Sequence, residues 1–78
     1  MRQKTKKTVY TFASTTLAMK MEKIMKEEEA PGRMIPVPRE ITAGCGLAFI
    51  SEPEERERIE ALMESHQIKA EQIVELMI

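Results

Sequence analysis

The chain has 78 residues, 42% of them hydrophobic and 32% charged, which suits one small globular core and leaves no room for a second. Twelve basic and thirteen acidic side chains nearly cancel to a net charge of −1, which argues against a domain whose whole surface binds nucleic acid. The one cysteine excludes an internal disulfide framework and fits a reducing compartment, and no apolar run approaches the length of a membrane span.

Residues 1–6 carry Arg2, Lys4 and Lys6 and read as a flexible basic arm ahead of one domain over residues 7–78. Lys7–Ala13 is rich in β-branched and aromatic residues and predicts a first strand. Ser14 or Thr15 can cap a helix on which Leu17, Met21, Ile24 and Met25 form one apolar stripe, and Pro31-Gly32 must end it. Arg33–Val37 predicts a second strand, placed at a sheet edge by Pro36. Pro38–Gly44 reads as a loop, and Cys45–Ile50 as a third strand.

Ser51 and Glu54 have capping-box spacing, so a second helix is expected to start there and to bury Ile59, Leu62 and Met63, with His66 closing the same face. The acidic cluster Glu52–Glu57 then sits where a helix start favours negative charge, and needs no metal to explain it. Gln72–Ile78 predicts a last strand. The expected fold is α+β and ferredoxin-like, βαββαβ, an antiparallel sheet with two helices on one face. The other face is then bare, which leads us to expect a homodimer or a docked partner.

Chemistry concentrates in Ile35–Gly46. Gly44 and Gly46 leave space beside the Cys45 thiol, and Arg39 or Arg33, if close, would favour its thiolate. The opposing reading is that Cys45 opens an apolar run and is packed as a small hydrophobe. Both stand open on composition alone. His66 fits a helix end better than a general base for Cys45. Cys45 and His66 are too few for a zinc site, and the Met residues fit adaptable packing. No metal, cofactor, membrane or nucleic-acid partner is expected.

The pattern Phe12-x-Ser14-Thr15, then Pro31-Gly32-Arg33-x-Ile35-Pro36-x-Pro38-Arg39-Glu40-Ile41, then Cys45-Gly46-Leu47-Ala48 resembles a family of small bacterial proteins described as selenium/sulfur carrier-like. The resemblance covers about residues 8–78. It implies that Cys45 bears sulfur or selenium, as a persulfide or selenopersulfide, with Pro38, Arg39 and Gly46 as motif neighbours. Thr42, Ala43 and Gly44 stand where the resemblance leads us to expect serines. It also implies a carrier, a non-catalytic one rather than an enzyme being favoured, served by a donor protein such as a cysteine desulfurase and relieved by an acceptor protein, while the free thiol and the lack of a membrane-length apolar run make the cytoplasm the expected location. The alternative is a small dimeric interaction or regulatory module in which Cys45 is structural.

Overall fold

The computed structural model describes residues 4–41 and 44–78. Residues 1–3 of the expected arm, Arg2 among them, and Thr42 and Ala43 lie outside the described residues. Four strands and two helices follow one another as β1 (Lys6–Thr11), α1 (Thr15–Glu27), β2 (Arg33–Pro36), β3 (Leu47–Ser51), a 3-10 turn (Pro53–Glu55), α2 (Arg56–Ser65) and β4 (Gln72–Met77). The sheet is antiparallel throughout, in the order β2-β3-β1-β4.

β1 is central, flanked by β3 and β4, and its residues Thr8 to Thr11 are all buried. Successive side chains point to opposite faces, so the strand feeds two cores at once. Tyr10, with Phe12 beyond the strand's end and Phe49 of β3, packs under Ala18, Met21, Ile24 and Met25 of α1 and Ile59 and Met63 of α2. Both helices therefore cover the same face. Ser14 caps α1, its Oγ accepting the Leu17 N–H at 3.3 Å.

The second face departs from expectation. It is not bare. Val9, Ala48 and Ile50 are buried there among the flanking side chains of Ile35, Val37, Val74, Leu76 and Ile78, and Ile41 is buried against them. Val37 extends the pairing of β2 with β3 by one residue, and the loop after it brings the apolar Ile41 against this face, where leaving it in water would forfeit ~2 kcal/mol. The capping box is also corrected. Ser51 ends β3, and its Oγ lies 3.3 Å from the Tyr10 hydroxyl in the helix-side core. The turn that follows starts at Glu52 without a side-chain cap. A buried aromatic hydroxyl needed a partner, and the serine supplies it. Burial raises the Tyr10 pKa above its ordinary value, with the Ser51 hydrogen bond opposing that rise.

Among the described residues, the Thr8 Oγ1 is a buried polar atom with no hydrogen-bond partner. Thr8→Val keeps the β-branched shape and removes the desolvated hydroxyl. We expect it to stabilise the fold by about 1 kcal/mol, a rise in Tm of roughly 4–8 °C. A lower Tm in a calorimetric scan would mean that the hydroxyl has a partner in solution.

Candidate functional site

Cys45 sits in the loop that joins the edge strand β2 to β3, in a turn just before the strand that was expected to contain it. Two bonds shape this loop. The Val37 N–H donates to Gly46 O at 3.0 Å, and the Ile41 N–H donates to Pro38 O at 2.9 Å. The second closes a turn over Pro38-Arg39-Glu40-Ile41, an i to i+3 bond that reverses the chain. Gly46 has φ +74, and a Cβ built on it would meet nothing within 4 Å. The chain therefore turns sharply into β3 and leaves open space beside the thiol's neighbour.

The Val37–Gly46 bond also sets which way the next peptide groups point. Backbone groups alternate sides along an antiparallel ladder, so the N–H and C=O of Leu47 face away from β2 and toward β1. The pairing of β1 with β3 ends at Thr11↔Ala48, one residue short. Cys45 takes the two groups that are left over. Its sulfur accepts the Leu47 N–H at 3.4 Å, and its S–H donates to Leu47 O at 3.3 Å. The side chain is half-buried and packs against the helix-side core.

The loop leans on the other end of the chain's first crossover. A Cβ on Gly44 would lie 3.2 Å from Ala13 O, just before the cap of α1. Gly44 and Cys45 thus sit at the α1 N-terminal end of the molecule. Pro38 is half-buried in the same loop, and Arg39 is exposed on its turn. Arg33 is elsewhere. It opens β2 opposite Ile50, about 10 Å along the strand from Pro36, and does not join the thiol. Among the described residues the hydrogen-bonding partners of the sulfur are the amide and carbonyl of Leu47.

His66 ends α2 and lies 3.7 Å from a carboxylate oxygen of Glu28, which ends α1. That places it near the far end of a helix about 20 Å long from the Gly44–Ala13 contact, so it serves the helix ends and not the thiol. Sequence reasoning did not reach the role of Leu47, because its contribution is backbone and carries no side-chain signal. Among the described residues, no group of three or more His, Cys, Asp or Glu side chains could hold a metal ion. Among the described residues, no helix is long and apolar enough to cross a membrane either.

These observations define a small α+β domain with one half-buried thiol in a glycine-flanked hairpin loop. A family model described as "Putative Se/S carrier protein-like" matches residues 7–75, and the chain belongs to that family. No curated protein and no solved structure matches it.

Proposed function

We propose that the protein carries sulfane sulfur or selenium on Cys45. The family match over residues 7–75 carries this reading. It is supported by a thiol that is only partly buried and lies in a loop, a position that a partner's reactive group can approach without a deep cleft. The split order of strands and helices, with both helices on one face, favours a ferredoxin-like description of the scaffold.

In the loading step the Cys45 thiolate attacks the outer sulfur of a donor persulfide, R–S–SH. The donor's S–S bond breaks, the donor leaves as its thiolate, and Cys45–S–SH forms. With a selenopersulfide donor the same step gives Cys45–S–SeH. An acceptor nucleophile then takes the outer atom and returns the Cys45 thiolate. A cysteine desulfurase is the class of donor that makes such persulfides, and a reducing cytoplasm suits a free thiol. Sulfur handed over this way requires no turnover by the carrier itself. In this reading Arg39, exposed on the same loop, meets an anionic group of the partner.

One observation favours a second reading, an interaction module with a structural thiol. The sulfur already satisfies both backbone groups of Leu47. The two readings part in one experiment. The native protein is incubated with a cysteine desulfurase and free cysteine, and its intact mass is recorded beside that of an unrelated protein with one exposed thiol. Gain of one sulfur atom, faster than in that protein and removed by reductant, is expected for a carrier. No gain, with a thiol that also resists alkylation in the folded state, would establish the structural reading instead.

A further inference from the structure

The two edges of the sheet are unlike. β2 is four residues long, begins with Arg33 and ends in Pro36, features that discourage another strand from pairing there. β4 is six residues long, Gln72-Ile73-Val74-Glu75-Leu76-Met77, with no proline, glycine or lysine to guard it. Its outward backbone groups can be identified. Thr5 and Ile78 exchange both of their N–H···O bonds, at 3.2 and 3.0 Å. Such pairs recur at every second residue, so Leu76, Val74 and Gln72 face β1. Ile73, Glu75 and Met77 then turn their N–H and C=O groups away from the sheet.

A groove of about 820 Å³ lies on the helix side of this edge, between α2 and β4. Met63, Ile68, Ala70 and Ile73 give it an apolar lining. Glu57, Glu60 and Glu64, at helical spacing, form a wall of negative charge along it. Two cations also line the groove against these glutamates and Glu54: Lys69, and Arg56, which is engaged by Glu60 and Glu75 at 2.5 and 3.5 Å, so acidic side chains outnumber basic ones four to two. The hydrogen bond of Arg56 to Glu60 raises its pKa, and Lys6 lowers that of Glu75.

We propose that this edge receives an extended, basic segment of a partner protein, which adds to the sheet beside β4. The pleat sets the sequence of the segment. Residues opposite Ile73, Glu75 and Met77 share the helix side, where lysine or arginine stems cover the apolar lining and their charges reach the glutamate wall. The alternate residues lie beside Val74 and Leu76 on the other face and suit valine or isoleucine. A second copy of this chain is the poorer occupant. Pairing β4 with β4 about a two-fold axis sets two glutamate walls side by side.

The test uses the full chain and a dye-labelled peptide of alternating lysine and valine, with amide chemical shifts and fluorescence anisotropy as readouts. The largest shifts are expected at Ile73, Glu75 and Met77. Affinity is expected to fall at least tenfold when salt rises from about 50 mM to about 0.5 M, and a glutamate–valine peptide should not bind. Glu57→Lys with Glu64→Lys should abolish binding. Glu75→Pro removes an outward N–H and no bond to β1, so it too should abolish binding, whereas Glu75→Gln should retain most of it. Backbone N-methylation of alternate peptide residues blocks the same pairing without altering the protein, and settles the matter if the proline variant unfolds. Shifts confined to another surface, or binding untouched by N-methylation in either register, would overturn the proposal. So would a concentration-dependent dimer whose protected amides are those of Ile73, Glu75 and Met77, since a second copy would then own the edge.

Discussion

Gly32→Ala is expected to destabilise the fold by about 3 kcal/mol or more, lowering Tm by roughly 12 °C or more. Gly32 follows α1 with φ +137, a conformation that L side chains rarely adopt. A methyl group there would stand 2.5 Å from two carbons of the Phe49 ring and 2.6 Å from Ile50 O. Neither can yield readily. Phe49 is 2% exposed and packs its ring against Tyr10, with centroids 6.1 Å apart, while Ile50 belongs to the backbone of β3. Backbone strain and overpacking therefore add, in a domain whose whole stability is on the order of 4–12 kcal/mol. Gly46→Ala is the control. Gly46 also has a positive φ, +74, but open space around it, so only the backbone term of about 1–2 kcal/mol should appear. Equal losses for the two variants, measured by thermal and urea unfolding, would refute the packing account.

Cys45→Ser is expected to abolish sulfur loading while leaving Tm nearly unchanged. A serine hydroxyl can accept the Leu47 N–H and donate to Leu47 O as the thiol does, so both groups keep a partner. Cys45→Ala removes both contacts and should cost about 1 kcal/mol. The pair of variants separates the chemical role of the sulfur from its structural one. Loading also replaces the S–H hydrogen, so Cys45–S–SH loses the bond to Leu47 O or must pass it to the terminal S–H. We expect the loaded protein to show changed amide shifts from Cys45 to Ala48. Residual loading of the serine variant would move the cargo site away from Cys45, and an unmoved amide spectrum on loading would argue that the sulfur is free of Leu47 in solution.

Much of the scaffold was legible in the chain. The apolar stripe of Met21, Ile24 and Met25 produced α1, and Ser14 before it produced the cap. The β-branched and aromatic run Thr8–Thr11 produced a strand, and Gln72–Met77 produced another. These are local signals, carried by spacing and by the chemistry of single residues. Ser51 shows their limit. Its spacing to Glu54 is that of a capping box, yet Tyr10 lies across the sheet from it and takes its hydroxyl into the core. A short-range bond gave way to a buried long-range one, because an unpaired buried hydroxyl costs more than an uncapped turn exposed to water. The second sheet face was misjudged for a related reason. Ile41 lies at the end of a proline turn and reads as loop, but its burial depends on where the turn sends it.

The chain by itself determined the α+β class, the family, the lone thiol and the glycines around it, since each depends on residue identity or local periodicity. Tertiary structure decided the surroundings of that thiol. It bonded Cys45 to Leu47 because β1 stops pairing one residue early, and it separated Arg33 and His66 from the loop. It also left β4 as the long, unguarded edge. The end of the β1 pairing and the place of β4 are set by register and strand order between residues 30 or more positions apart in sequence, and no local pattern encodes such a distance.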